Sequence, residues 1–129
     1  MRTLGGQHGF TLIEILVVVL IVGVLAAIGI PSLLGQREKG LDADAKSNAR
    51  NLYAQVESCG ADAGGDYTDC HTAEQLGETG VPIGGGEGQA EVTGASSSGY
   101  TITARSETGS TFVITKSSTG RTLGGTGTW

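Results

Sequence analysis

Hydrophobic residues are concentrated in one segment near the start of the chain. From residue 10 to residue 34, 19 of 25 residues are hydrophobic, whereas only 30 of the other 104 residues are. Residues 15–30 carry no charge. Because a helix rises about 1.5 Å per residue, roughly 20 such residues cross the 30 Å hydrocarbon core of a bilayer. The pattern therefore predicts an apolar helix over 10–34 that is long enough to span a membrane.

A second, amphipathic pattern follows the apolar segment. Small and branched apolar residues recur at intervals of three or four, which is typical of one face of a helix. We therefore expect the helix to continue to about Glu57, and we interpret the apolar stripe as packing surface. Asp42 and Lys46 stand four residues apart in the favourable order for an ion pair. The stripe consists of Leu41, Ala45, Ala49, Leu52 and Val56.

The rest of the chain alternates between β-type segments and turns. Thr72 and Gln75 have the spacing of a helix capping box. The end of the chain, 124–129, is rich in glycine, and we expect a loose tail there unless Trp129 docks on the domain. An antiparallel sheet is predicted over about 90–123. Its expected strands are Ala90–Thr93, Tyr100–Arg105, Thr111–Thr115 and Gly120–Leu123.

Charge narrows the classes of partner. The formal net charge is −5, which argues against nucleic acid as a main or specific partner. The cluster Gly84–Gly88 lacks the lysine and the serine or threonine of a phosphate-binding loop. Residues 51–104 contain eight acidic residues and no Lys or Arg.

Three interpretations of these acidic residues stay open. The first is a solvated surface that keeps an assembly soluble. The second is a calcium site, since calcium prefers oxygen ligands; it would use Asp62, Asp66 and Asp69. The third is contact with basic residues of a neighbouring subunit, namely Arg105, Lys116 and Arg121.

Glu14 distinguishes the apolar segment from a simple signal or anchor. A carboxylate within an apolar membrane helix costs about 2.5–3.5 kcal/mol at the membrane centre, and less near the end. A cleaved secretory signal has a basic start and a shorter apolar stretch, but this chain has only Arg2 before a long one. A plain membrane anchor fits the length and leaves Glu14 unexplained. Glu14 is therefore a candidate functional residue.

The residues around Glu14 carry a specific resemblance. The string from Gly9 to Glu14, Gly-Phe-Thr-Leu-Ile-Glu, followed by the apolar run and Pro31, resembles the N-terminus of type IV pilins and of the related pseudopilins. The resemblance implies an α+β fold with a long kinked N-terminal α-helix packed on a small antiparallel sheet. It also implies a leader peptide (1–9), a transmembrane and filament-core helix (10–34) and a globular head (35–129).

The resemblance further assigns roles to single residues. A membrane peptidase is expected to cut after Gly9 and to N-methylate Phe10. Glu14 is expected to pair with the new α-ammonium group of Phe10 in an adjacent subunit, because an ion pair relieves the cost of two isolated charges in low dielectric. The alternative is a carboxylate that reaches the lipid headgroups. Gly23, Gly29 and Pro31 are expected to kink the helix or to let it melt locally in a filament.

The two cysteines, Cys59 and Cys70, stand in the part of the chain that would be exported. An even number of cysteines in that location favours a disulfide. The alternative is a metal site with His71 as a third ligand, although no CxxC pair is present. The disulfide would close the loop 59–70 in a head of low hydrophobic content.

These observations predict a structural protein. We expect the major pilin of a type IV pilus, which catalyses no reaction and needs no cofactor or metal. Its expected partners are identical subunits, the prepilin peptidase and an assembly platform in the cytoplasmic membrane. It would reside in that membrane and then in an extracellular filament on the cell surface. The alternatives are a pseudopilin of a type II secretion or competence DNA-uptake system, or a membrane-anchored binding protein that does not polymerise.

Overall fold

The structure is a computed structural model that describes residues 9–129. The chain divides after Gln36 into two compact units, and helix α1, Leu12–Asp62, begins in the first unit and ends in the second. The arrangement is α+β and confirms the fold class that the pilin resemblance implied. The other elements of the described chain are helix α2 (Ala73–Leu76) and strands β1 (Ala90–Thr93), β2 (Tyr100–Arg105), β3 (Thr111–Ser117) and β4 (Gly120–Gly124).

The first unit contains the apolar part of α1. The helix runs without interruption through Gly23, Gly29 and Pro31. Seventeen large hydrophobic side chains between Phe10 and Leu34 are exposed, because no described residue of this unit packs over them. By length and composition, this part of α1 is long and apolar enough to cross a membrane.

The second unit is built where the amphipathic part of α1 packs on the sheet. Four residues of the predicted stripe are buried, and only Leu41 at its start is half-buried. The predicted pair of Asp42 and Lys46 does not form. Asp42 instead accepts a hydrogen bond from the Thr108 hydroxyl at 2.6 Å, and the Lys46 Nζ lies 5.3 Å from the centre of the Phe112 ring. The core includes Ala45, Ala49, Leu52, Val56, Ile102, Phe112 and Ile114.

Helix α1 ends at Asp62, five residues beyond the predicted end at Glu57. Within this extra turn, Gly60 leaves room for the Tyr67 ring: a Cβ there would collide with it. The helix stops where Gly64 and Gly65 adopt positive φ angles of 72° and 98°. Such left-handed glycines commonly end helices, and the Gly65 N–H bonds the Gly60 carbonyl at 2.7 Å.

The sheet is antiparallel with strand order β1-β2-β3-β4. The four strands lie at the predicted segments, and β3 and β4 extend two residues and one residue further. Strands β2 and β3 alternate between buried and partly exposed positions, as expected for a sheet with one face on a core. The predicted capping box also forms, with Thr72 as the N-cap of α2 and Gln75 as its partner.

The end of the chain is docked rather than loose. The Trp129 indole N–H donates to the Gly124 carbonyl at 2.7 Å, and the ring meets Phe112 edge-on at 5.5 Å between centroids. Gly127 lies so close to the Phe112 ring that a Cβ would collide with it. The segment 124–129 is therefore part of the domain, which corrects the expectation of a loose tail.

Candidate functional site

The predicted processing site lies immediately before α1. Gly9 and Phe10 are exposed and non-helical, and Phe10 is 85% exposed. The bond between them is therefore open at the surface of the described chain. The remainder of the predicted leader, 1–8, lies outside the described residues.

Glu14 is bonded to the first turn of its own helix. Its Oε2 accepts a hydrogen bond from the Thr11 backbone N–H at 2.8 Å and from the Thr11 hydroxyl at 3.1 Å. In return, the Glu14 N–H donates to the Thr11 hydroxyl oxygen at 3.3 Å. These reciprocal bonds are a capping box, which satisfies donors that a helix start otherwise leaves unpaired. The Thr-x-x-Glu spacing ahead of an apolar run signals such a box, which was not among the predictions made from the sequence.

The capping box leaves half of the Glu14 carboxylate available. Among residues 9–129, no donor bonds its Oε1 and no cationic side chain lies within ion-pair distance. A shallow groove of about 370 Å³ surrounds it, lined by Phe10, Ile13, Val17 and Val18. Because apolar side chains surround this free acceptor oxygen, the groove is suited to bind a cationic group that is attached to an apolar segment.

The three residues predicted to kink or melt the helix are all helical here. Proline has no N–H, so Pro31 leaves the Ala27 carbonyl without its helical donor. Open space surrounds the Cα atoms of Gly23 and Gly29. Melting at Gly23, Gly29 and Pro31 in a filament stays a prediction.

Cys59 and Cys70 form a disulfide, with their Cα atoms 5.9 Å apart. The bond joins the last turn of α1 to the segment before α2, and Cys70 is completely buried. Oxidised cysteines supply no thiolate ligands, so the alternative metal site with His71 is not supported. The His71 Nδ1 instead lies 2.9 Å from the Thr68 carbonyl oxygen.

A polar cluster around Glu57 joins four parts of the second unit. Glu57 accepts hydrogen bonds from the Tyr100 hydroxyl at 2.6 Å and from the Tyr67 hydroxyl at 3.2 Å. Lys116 Nζ lies 3.3 Å from the same carboxylate. The cluster thereby connects α1, the disulfide loop, β2 and β3. From the sequence alone, Glu57 stands out only as the predicted end of the helix, because its partners are distant along the chain.

The electrostatics of this cluster favour an ionised Glu57. Burial by itself raises the pKa of the Glu57 carboxyl, but hydrogen bonds from Tyr100 and Lys116 outweigh it, so the pKa lies below its usual value. Burial and the bond to Glu57 raise the pKa of the Tyr100 hydroxyl. The bond to Glu57 likewise raises the pKa of the Lys116 ammonium group. At neutral pH the cluster therefore contains one carboxylate, one ammonium group and two neutral phenols.

The calcium interpretation finds no support in the described part of the chain. No group of three His, Cys, Asp or Glu residues within 9–129 is arranged to hold a metal ion. The three predicted ligands, Asp62, Asp66 and Asp69, do not form such a group. Asp66 instead accepts bonds from the N–H and hydroxyl of Thr68 at 2.9 and 2.6 Å.

Two of the three basic residues proposed for contact with a neighbour have partners within this chain. Arg105 pairs with Glu91 at 3.5 Å, and Lys116 belongs to the Glu57 cluster. Arg121 lies over the ring of Tyr53, 5.2 Å from its centroid. Of the three, Arg121 alone has no carboxylate partner among residues 9–129.

The N-terminal segment matches a known family. Residues 4–30 match the family described as the prokaryotic N-terminal methylation motif. The match includes the predicted cut between Gly9 and Phe10, and also Glu14. It agrees with the resemblance drawn from these residues.

Comparison with characterised proteins gives two kinds of relative. Type II secretion system core protein G of Escherichia coli (strain K12) is 44% identical over 59 residues, which are 41% of this chain and 41% of that protein. The same-named protein of Dickeya chrysanthemi is 45% identical over 51 residues, 40% of this chain and 33% of that one. Type IV major pilin protein PilA of Myxococcus xanthus (strain DK1622) is 42% identical over 52 residues, 40% of this chain and 24% of that protein.

The likeness covers less than half of this chain and of each of these relatives. No solved structure matches the chain significantly. The matches therefore confirm the family resemblance, and they do not distinguish a secretion-system subunit from a pilus subunit.

Proposed function

Because this chain is a type IV pilin-like protein, we propose that it is the precursor of a major pilin, a structural subunit that polymerises into a type IV pilus. The observation that carries the proposal is the start of α1. There, a methylation motif, the Glu14 carboxylate with one oxygen free of hydrogen bonds to the described residues, and an uncovered apolar helix occur together. Each of these three features needs something outside this single chain to complete it.

The apolar half of α1 requires an environment other than water. Burying apolar surface contributes about 25 cal/mol per Å², so a helix with sixteen exposed large hydrophobic side chains between Leu12 and Leu34 is costly to hold in solution. A bilayer covers them before assembly, and packed copies of the same helix cover them afterwards. The protein thus resides first in the cytoplasmic membrane and then in a filament on the cell surface.

Cleavage after Gly9 creates a cationic partner for Glu14. The cut converts the Phe10 nitrogen from an amide into an ammonium group, which stays cationic after N-methylation. The available Oε1 of Glu14 accepts a hydrogen bond from the ammonium group of a neighbouring subunit, while Oε2 keeps its bonds to Thr11. Two charges that are each expensive in low dielectric are thereby paired, and the pair fixes the axial register between subunits.

The protein acts as a building block and not as an enzyme. Its partners are identical subunits, the prepilin peptidase that cuts and methylates it, and the platform that moves it from the membrane into the filament. The acidic, Gly-rich head faces outward.

Mass analysis of the native protein's N-terminus tests the processing step. We expect a mature chain of 120 residues that begins with N-methylated Phe10. An intact chain that still begins at Met1 in cells with an active prepilin peptidase would contradict the proposal.

A pseudopilin is the second candidate, because two of the three relatives described above are type II secretion system core proteins. Electron microscopy of sheared cell-surface material separates the two candidates. A major pilin gives abundant filaments composed of the cleaved chain. A pseudopilin gives none at native expression, and its deletion blocks protein secretion or DNA uptake instead. Uncut, monomeric membrane protein would favour the membrane-anchored binding protein and exclude both.

A further inference from the structure

Strand β4 is an open edge of the sheet. All five of its residues are exposed, and no strand among the described residues pairs with its outer side. An unpaired edge presents backbone N–H and C=O groups that another chain can bond. Natural proteins usually cover or block such an edge, so β4 is a candidate contact surface.

Leu123 places an apolar side chain on this edge. It is paired with Ile114, and residues directly opposite each other on antiparallel strands share one face of the sheet. Ile114 is 1% exposed, whereas Leu123 is 50% exposed. Leu123 therefore extends the buried face of the sheet past the area that α1 covers. It is the single exposed large hydrophobic residue within 37–129.

The same strand carries an available positive charge. Arg121 is exposed, stands opposite Lys116 and has no carboxylate partner within 9–129. Because Lys116 is already paired with Glu57, Arg121 is the cation at this edge that has no carboxylate partner among the described residues. A complementary surface would offer an apolar patch beside an unpaired carboxylate.

The second unit has such a surface near β1, at the other edge of the sheet. A shallow groove of about 490 Å³ is lined by the half-buried Ile83, by the exposed Glu78 and by Val81, which is only 6% exposed. Ile83 bridges Ala90 at the start of β1, which places the groove beside that edge. Neither Glu78 nor the nearby Glu74 forms an ion pair with the described residues.

We propose that β4 of one copy docks in this groove of a second copy, with Leu123 against Ile83, and Arg121 beside Glu78. The contact joins two different surfaces at the two edges of one sheet. A heterologous contact of this kind leaves one surface of each copy unused, so it continues into an open chain instead of closing as a dimer. The proposal rests on the proposed function as a filament subunit and adds a contact between heads to the helix-mediated one.

Charge exchange in full-length protein tests the docking. Arg121→Glu should lower the yield of sheared filaments by roughly tenfold or more, because like charges would then face each other. The double variant R121E/E78R should restore the yield. The matched control R121E/E87R reverses an exposed carboxylate that does not line the groove and should not restore it.

Leu123→Asp tests the apolar part of the contact and should likewise lower the yield. Thr122→Asp, which adds the same charge to the opposite face of β4, should leave it near wild type. For each variant, methylated Phe10 and an intact Cys59–Cys70 disulfide in the membrane fraction verify processing and folding.

Cross-linking gives a measurement that does not depend on yield. Filaments of the R121C/E78C variant should oxidise into a ladder of covalent oligomers, visible without reductant. Normal filaments from both R121E and L123D, with no ladder, would overturn the docking and leave the proposed function intact. A wild-type chain that never forms filaments would instead overturn the proposed function and the docking with it.

Discussion

Two carboxylates of α1, Glu14 and Glu57, differ in where their partners come from. Glu14 bonds Thr11, three residues away, whereas Glu57 bonds Tyr100, 43 residues away, as well as Tyr67 and Lys116. The first arrangement forms as soon as the helix begins. The second requires the folded sheet. The hydrogen bonds of Glu14 therefore depend only on local structure, whereas those of Glu57 depend on tertiary structure.

The Glu57 cluster predicts acid sensitivity. The folded pKa of Glu57 lies below its usual value of 4.5, so its contribution is fully present above pH 4.5 and is lost as the pH falls through the folded pKa. Glu57→Gln should lower the free energy of unfolding by about 1–2 kcal/mol at pH 7 and reduce the loss below pH 4.5. Urea unfolding of detergent-solubilised protein between pH 7 and pH 3 measures both effects. The exposed Glu74→Gln is the control, and equal acid sensitivity of both variants would contradict the prediction.

Gly127 predicts a packing effect at the docked end of the chain. Gly127→Ala places a methyl group against the rigid ring of Phe112, so we expect overpacking to destabilise the domain by about 1–3 kcal/mol. Gly124→Ala, whose Cβ would meet nothing within 4 Å, is the matched control and should change stability little. Thermal unfolding followed by Trp129 fluorescence compares them. Equal stability of the two variants would show that the tail is not packed as described.

At the scale of elements, α1 is one continuous helix with two environments. Its part in the first unit is apolar on all sides and uncovered, whereas its part in the second unit buries one stripe in a core. A helix that is apolar all around suits a membrane or the centre of an assembly, and a striped helix suits a domain. The change in pattern after Leu34 therefore marks a change of surroundings.

Substitutions at the start of α1 distinguish the contribution of the capping box from that of the proposed ion pair. Glu14→Val should still enter the membrane but should assemble poorly, because it leaves the Phe10 ammonium group of the neighbour unpaired. Thr11→Val removes the capping hydroxyl, which costs about 0.5–2 kcal/mol of helix stability, and keeps the charge. We expect it to retain assembly. Filament yield in cells that lack wild-type subunits is the measurement, and normal filaments from Glu14→Val would refute the ion pair.

The disulfide predicts a measurable contribution to the second unit. Closing so short a loop contributes somewhat under about 3 kcal/mol on the chain-entropy model. The double variant C59S/C70S should lower the free energy of unfolding by about that amount and release Tyr67 from Glu57. Urea unfolding with and without reductant gives the value for the native chain. Thiol labelling of unreduced native protein should find no reactive cysteine, and two labelled thiols would contradict the bond.

At the scale of the whole molecule, the two units have separate sources of stability. The buried hydrophobic residues of the described chain run from Ala45 to Ile114, all within the second unit, and the disulfide lies there too. The described part of the first unit, residues 9–36, contains no buried hydrophobic residue. The described residues of this chain therefore leave the apolar surface of the first unit uncovered.

This separation predicts the behaviour of a truncated protein. A fragment of residues 37–129 should be soluble without detergent and should fold with the disulfide formed, because it retains the entire described core. The full-length chain should require detergent. Size-exclusion chromatography and circular dichroism of both proteins provide the comparison. An aggregated or unfolded fragment would show that the first unit is needed for the second to fold.

Local sequence patterns determine the positions of most helices, strands and motifs in this protein. The apolar segment, the processing motif, the amphipathic stripe and the strand segments depend on short-range periodicity and on residues close in sequence. For the same reason the spacing of Thr11 and Glu14 indicates a capping box, although this box was not among the predictions made from the sequence.

Tertiary structure determines the contacts between residues that are distant along the chain, which no local sequence spacing predicts. The Glu57 cluster, the docking of Trp129 and the exposure of Leu123 beside the buried Ile114 depend on segments that are distant along the chain. Helix α1 continues past the predicted end at Glu57 to Asp62, and Gly60 in this last part leaves room for the Tyr67 ring beside the helix. Such contacts form only when strands and helix are packed together, so their geometry belongs to the fold and not to any one segment.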